Sequence, residues 1–283
     1  MILVIGGTGT IGSEVVKKIA GAGLKARVLV RNAVKAETVQ KLGLETALGD
    51  VSKIETIEAA LRGVDSLFLL TRAHLQMAKI ESAIMDAAKK AGVKRIVLFS
   101  GMGVSLQSPQ TITREHALSQ EHLKKLGVPF TVLQPAGFMQ NFLFMASTIK
   151  QGAIYGNYKN GRMGFVDARD IAAVALAALT GEGHNGKTYV ITGGESMSYF
   201  EAAEAVSRVI GKTVNYVDVP AEVVIKAMTD MGMPEWLSKD LAKFAGEVAA
   251  GELDHITDVV EKVTGRKPIT LEQFFIDNVE AFN

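Results

Sequence analysis

Short runs of almost wholly apolar residues recur through the first two-thirds of the chain. The stretches between them carry apolar residues at helical spacing. Residues 1–5 (MILVI), 25–31 (KARVLVR), 64–70 (VDSLFLL), 95–100 (RIVLFS), 130–134 (FTVLQ) and 188–191 (TYVI) read as strands, with another ending at Leu48. Residues 80–91 and 112–126 read as helices between them. Strands apolar on both faces, separated by helices, imply a parallel sheet covered on both sides. The predicted class is therefore α/β, a doubly wound parallel sheet. Beyond about Thr192 helical periodicity takes over, with one short strand at 214–219. Pro220 then opens a long helical section holding Met228, Met231, Met233 and Trp236. The pattern predicts a larger α/β domain over 1–151 and 166–192. A smaller, mostly helical lobe over 152–165 and 193–283 is expected to pack over the ligand edge of the sheet.

The first strand runs directly into Gly6-Gly7-Thr8-Gly9-Thr10-Ile11-Gly12, and residues 13–19 continue as an amphipathic helix. Strand, glycine turn and helix start are the parts of a dinucleotide-phosphate site. The glycines let backbone approach a pyrophosphate, and the helix N-terminus presents free N–H groups and a positive dipole end. A Rossmann domain is expected, with Gly6, Thr8, Gly9, Thr10, Ile11 and Gly12 around the phosphates. The spacing Gly6-x-x-Gly9-x-x-Gly12 differs from the G-x-G-x-x-G of ordinary dehydrogenases.

In such a fold the end of the second strand meets the adenosine ribose. An acidic residue there selects NAD, and an arginine accommodates a 2′-phosphate. Here the strand ends in Val30-Arg31-Asn32, and no acidic residue lies between Glu14 and Glu37. Arg31, with Lys35 one helical turn on, is placed to pair with the phosphate, so NADPH is the expected cofactor. Solvated surface charge is the rival, less favoured reading of both. Asp50, after the third strand, has two readings, an acceptor for the adenine amino group or a cap for the helix starting near Lys53. Thr71, which closes the fourth strand, joins the cofactor set.

Composition narrows the partners. Lys and Arg total 31 against 30 Asp and Glu, so the formal charge of +1 recruits neither nucleic acid nor an anionic membrane. With 0 cysteines there are no disulfides, thiolate metal sites or cysteine nucleophiles. No metal is expected, since no His, Asp and Glu cluster has ligand spacing. No apolar run is long enough to span a membrane, and the first strand leaves no room for a signal peptide. A cytoplasmic monomer or homodimer acting on a small molecule is the expectation.

At this point the chain resembles the NmrA-like, atypical short-chain dehydrogenase/reductase family. The residues that carry this are GGTGTIG, Val30-Arg31-Asn32 with Lys35-Ala36, Gly49-Asp50 and Gly63-Val64-Asp65. Further matches are 116–123, Gly127-Val128-Pro129-Phe130-Thr131, Phe138-Met139-Gln140-Asn141 and Phe165-Val166-Asp167-Ala168-Arg169-Asp170-Ile171-Ala172. The likeness spans nearly the whole chain and looks nearest to the bacterial quinone- and triphenylmethane-dye-reductase branch. It implies an NADPH-dependent reductase. The family also holds isoflavone-reductase-like enzymes and redox-sensing regulators without turnover.

The departures bear on mechanism. Most short-chain dehydrogenases use Tyr-x-x-x-Lys, with Tyr as general acid, and a Ser or Thr after the preceding strand. Ser100 fits that position, yet the next helix shows His116-Ala117-Leu118-Ser119-Gln120. His116 is either a proton donor, since imidazole titrates near neutrality, or a structural histidine bonded to a neighbour. Gln120 either orients the ribose or faces solvent. Ser100 either bonds substrate or nicotinamide or merely ends its strand. Phe138, Asn141 and Phe142 follow the strand ending at Gln134-Pro135 and suit a flat conjugated acceptor, with core packing as the rival for the rings. Met231 and Trp236 suit an apolar lid, or ordinary helix packing. Asp167 and Asp170 read as structural, with Asp170 supporting a helix N-terminus. Hydride transfer from NADPH to a quinone, a triphenylmethane-type dye or a conjugated carbonyl is the first expectation. An NADP(H)-binding redox sensor is the alternative. A sugar-nucleotide epimerase fits poorly with His116 and Gln120 in place of Tyr and Lys.

Overall fold

The computed structural model describes residues 1–283. In chain order the elements are β1 (Ile2–Ile5), α1 (Thr10–Gly21), β2 (Ala26–Val30), α2 (Ala33–Gln40), β3 (Glu45–Leu48), α3 (Ile54–Ala60), β4 (Ser66–Leu69), α4 (Met77–Lys90), β5 (Arg95–Phe99), α5 (Thr111–Leu126) and β6 (Phe130–Pro135). There follow α6 (Asn141–Phe144), α7 (Ala146–Lys150), β7 (Ala153–Gly156), β8 (Arg162–Met163), α8 (Ala168–Thr180), β9 (Lys187–Ile191), β10 (Met197–Ser198), α9 (Tyr199–Ile210) and β11 (Asn215–Asp218). The chain ends with α10 (Ala221–Asp230), α11 (Glu235–Ala249), α12 (Val259–Thr264), α13 (Leu271–Asp277) and α14 (Val279–Phe282).

The main sheet has 7 strands in the order β3-β2-β1-β4-β5-β6-β9. Every pairing from β3 through β6 is parallel. The order reverses direction between β1 and β4. In an open parallel sheet that switch point opens a crevice at the strand C-termini, where ligands bind. β1 is buried at all four residues because helices cover both its faces, and this is why it reads as an unbroken apolar run. Leu3, Ile5, Ile57, Leu61, Leu67, Leu69, Ile96 and Leu98 form the centre of the core between the sheet and α3–α4.

The chain divides into two compact units. The first holds 1–108, 113–134 and 168–190, and the second 109–112, 135–167 and 191–283. The boundary expected near residue 151 therefore lies at residue 135. The physical reason is packing within the second unit. Phe142 is buried against Phe165, Tyr199 and Phe275, with ring centroids 5.4, 5.7 and 5.2 Å away. Phe138 bridges to Val166. The second unit is mostly helical but has more strand than the single one expected. β10 pairs antiparallel with β8, and β11 pairs parallel with β7. β8 and β10, at two residues each, carry too little period-two pattern to be read in a sequence.

Candidate functional site: a dinucleotide cradle and its flanking polar residues

The first unit builds a cradle from the loop between β1 and α1. Gly6 has φ +85°, a left-handed conformation, and a Cβ there would lie 2.2 Å from the Leu70 carbonyl oxygen. Gly12 is packed as tightly, since a Cβ would stand 2.1 Å from the Gly6 oxygen. Gly9 differs, because a Cβ there would meet only the Gly6 oxygen, at 3.6 Å. Gly6 and Gly12 thus shape the turn, while Gly9 leaves open the space into which the loop faces. Thr8, Gly9 and Thr10 form its exposed rim and the Ile11 side chain is buried, while the Ile11 and Gly12 N–H groups, in the first turn of α1, have no acceptor four residues back within the helix. α1 starts on Gly9 with no side-chain cap and no acidic residue in its first turn. A helix start left uncapped in this way is fitted to an anion. An open cradle and free donors suit a pyrophosphate.

Arg31 and Lys35 are exposed at the end of β2 and on the first turn of α2, whose N-terminus is capped by the Asn32 side chain at 3.0 Å from the Lys35 N–H. Asp50 accepts from the Ser52 N–H at 2.9 Å and the Ser52 hydroxyl at 2.8 Å. These bonds hold its carboxyl below the usual range, with the Lys53 and Arg31 charges adding to the effect. Asp50 therefore caps a turn, and the α3 N-cap is Lys53 with no side-chain bond, so of its two readings the helix cap becomes a turn cap and the adenine acceptor stands as a proposal.

Ser100, buried at the end of β5, is joined to Gln120 of α5, whose Nε2 donates to Ser100 Oγ at 2.7 Å. Gln134 donates in turn to Gln120 Oε1 at 3.2 Å. Gln120 is 5% exposed, so it does not face solvent; its amide links Ser100 to Gln134. His116 departs from expectation in charge state. Burial pushes its imidazole down to about 4, and Nδ1 has no hydrogen-bond partner. It is a neutral ring near pH 7, neither a donor titrating near neutrality nor a histidine bonded to a neighbour through Nδ1. Thr71 donates to Glu81 Oε1 at 2.7 Å. Glu81 was missed as a functional candidate, although the buried spacing Met77, Ala78, Glu81, Ile84, Met85 and Ala88 places a carboxyl on the apolar face of α4.

In the second unit Phe142 is 1% exposed, within the aromatic cluster, which corrects its placement against a substrate. Phe138 is half-buried, Asn141 is exposed, and Trp236 is half-buried on the first turn of α11. Met231 follows α10 and is 77% exposed; α10 buries none of its residues. Asp167 and Asp170 are both fully buried, the first accepting from Gln140 Nε2 at 3.2 Å. Asp170 lies within the first turn of α8 rather than before it. A cleft of about 340 Å³ is lined by Met139, Phe165, Met197, Lys267, Pro268 and Leu271 among others, and none of the expected substrate residues borders it. No group of three or more His, Asp or Glu could hold a metal ion. No helix is long and apolar enough to cross a membrane.

A parallel sheet with a glycine cradle at its switch point and a buried serine at the end of β5 defines a dinucleotide-binding protein of the short-chain dehydrogenase/reductase class. The chain belongs to the NmrA-like family, whose model matches residues 1–275. It is 41% identical over 283 residues to an NAD(P)H azoreductase of Xenophilus azovorans, covering 100% of this chain and 99% of that protein. It resembles the NADPH complex of the NADPH-dependent quinone oxidoreductase QOR2 of Escherichia coli with a TM-score of 0.87 at 25% identity, covering 99% of this chain and 100% of that one. The NADP(H) complex of Citrobacter sp. triphenylmethane reductase gives 0.85 at 26% identity, covering 98% and 99%.

Proposed function

We infer that this chain is an NADPH-dependent reductase of planar, electron-poor acceptors. The acceptor classes are quinones, triphenylmethane-type and azo dyes, and conjugated carbonyls. The observation that carries the reading is the cradle itself, with Gly9 open, the α1 N-terminus uncapped and Arg31 exposed just after β2. The named activities of the full-length relatives support it.

When bound, NADPH supplies the hydride. The chain's own groups bind and orient. The N–H groups at the α1 start hold the pyrophosphate, and Arg31 with Lys35 holds the 2′-phosphate by charge-assisted bonds. Ser100, fixed by Gln120, keeps its own O–H proton free to donate toward a developing oxyanion. Gly6, Thr8, Gly9, Thr10, Ile11, Gly12, Arg31, Lys35, Asp50 and Thr71 serve the cofactor, Ser100 serves the acceptor, and Gln120 positions Ser100.

With His116 neutral and no Tyr-x-x-x-Lys, α5 presents neither a protonated imidazole nor a Tyr–Lys pair as general acid. A cationic dye is neutralised by hydride and needs none; a quinone becomes an anion and gains from the Ser100 donor. Purified protein is to be mixed with NADPH and a panel of quinones, azo dyes and triphenylmethane dyes while absorbance is followed. Turnover with at least one class is expected. Tight NADPH binding with no turnover of any acceptor would overturn the reductase reading in favour of a redox sensor.

A further inference from the structure

Glu81 is one of two fully buried carboxylates of the first unit, the other being Asp170 on α8. Glu81 sits on the apolar face of α4 and is 1% exposed. Its Oε1 accepts from the Thr71 hydroxyl at 2.7 Å, and its Oε2 has no hydrogen-bond partner. From α5, the Ser119 hydroxyl lies alongside without forming a well-made bond. Glu115 faces it from the same helix, with its own Oε2 taking the Ala78 N–H at 2.8 Å. No cation offsets the charge, and the one charged group acting on Glu81 is a second carboxylate. Ionising a buried carboxyl with one oxygen unpartnered is costly. Burial above all, with a smaller push from Glu115, raises Glu81 to about 7 against the pull of the Ser119 and Thr71 hydroxyls.

Thr71 ties this carboxyl to the cradle. It follows β4, which pairs with β1 in the sheet. The preceding Leu70 carbonyl is the group that approaches Gly6 most closely. The buried acid thus lies one hydrogen bond behind the edge at which an anionic dinucleotide is held.

We propose that Glu81 couples NADPH binding to the uptake of a proton, with Thr71 as the link between the carboxyl and the cradle. The inference rests on the cofactor assignment above, and it adds a titrating group that the hydride chemistry does not use. The step is a protonation only: one solvent proton forms an O–H bond at Oε2, leaving Oε1 to accept from Thr71. Nothing is oxidised or reduced. The phosphates of NADPH disfavour a second negative charge nearby, so binding raises the Glu81 proton affinity. By linkage, protonation then raises the NADPH affinity by the same factor. Affinity is highest below pH 7 and falls as pH rises until Glu81 is ionised with and without the dinucleotide. The fall is about tenfold for each unit by which binding shifts the group. The 2′-phosphate ionises near pH 6 and acts with the opposite sign. His116 titrates at about 4, below this window.

The test is calorimetric titration of the full chain with NADPH at pH 7.5, in two buffers of different ionisation enthalpy, repeated from pH 6.5 to 9. The wild type should take up a fraction of a proton per NADPH and lose affinity about three- to tenfold across the range. Glu81→Gln, which keeps the bond from Thr71, should take up almost none and show a flat profile. Equal uptake and equal slope in the two proteins would overturn the coupling. Infrared difference spectra of the wild type give a check that needs no variant. NADPH binding at pH 8 should convert carboxylate signal to carboxylic acid signal, and no conversion would overturn the proposal. Proton uptake with no acceptor turnover supports the coupling and contradicts the reductase reading. Turnover with no proton uptake does the reverse.

Discussion

Arg31 stands exposed at the end of β2, where an NAD-selecting protein would carry a carboxylate. Charge-assisted bonds to a phosphate contribute on the order of 1.5–3 kcal/mol. Arg31→Ala should therefore weaken NADPH roughly ten- to a hundredfold and leave NADH almost unchanged; equal loss for the two would remove Arg31 from the 2′-phosphate. His116 makes the opposite kind of prediction. Its folded value, about 4, lies below the ordinary 6.5, so the unfolded chain binds the extra proton between these values. The stability this gives is present above pH 6.5 and lost as pH falls toward 4. His116→Phe should flatten that acid limb in thermal melts. It should also leave turnover of a cationic dye within about threefold, well under the loss expected for removing a general acid. A large loss with NADPH affinity intact would return His116 to the proton path. At this scale the sequence showed which residue types stand at the strand ends. It did not show that Gln120 turns inward to Ser100, because its partners, Ser100 and Gln134, come from two different strands. Nor did it show the charge state of His116, which depends on what the fold packs around the ring.

α1 separates the shaping of the turn from the binding of the ligand. A Cβ at Gly12 would collide with the backbone of Gly6, whereas one at Gly9 has room and its φ of −90° suits any residue. Gly9→Val should leave the melting temperature nearly unchanged and abolish NADPH binding. Gly12→Ala should lower the melting temperature, since backbone cannot yield as a side chain can. If Gly9→Val binds NADPH normally, the loop is not the phosphate cradle. The elements of the main sheet were legible because burial on both faces leaves apolar runs between helical stretches. β7, β8 and β10 were not, and β8 and β10 have only two residues each in which to show a period. The long helical section after Pro220 proved to be α10 and α11, broken at Met231–Pro234, where Gly232 turns with φ +89°. Of the two readings of Phe142, binding ring and core ring, the fold bears out the core ring, and the sequence could not choose because the residues that bury it lie as far along the chain as Phe275.

For the molecule as a whole, the chain divides into a nucleotide unit and a mostly helical unit, and the boundary at residue 135 follows the aromatic cluster rather than any change in composition. The sequence carried the cofactor site, because a strand, a glycine turn and a helix start are local, and the reaction class came with the resemblance to the family. The acceptor side was less legible, since it depends on contacts across the second unit. The reductase reading requires that hydride pass directly from C4 of NADPH to the acceptor. It is tested most directly by incubating the protein with NADPH deuterated on one face of C4 and a cationic triphenylmethane dye, and examining the leuco product by mass spectrometry. Deuterium should appear on the central carbon of the product from one C4 isomer and not from the other. A reduced dye with no deuterium from either isomer, or labelled equally from both, would contradict direct transfer within this site.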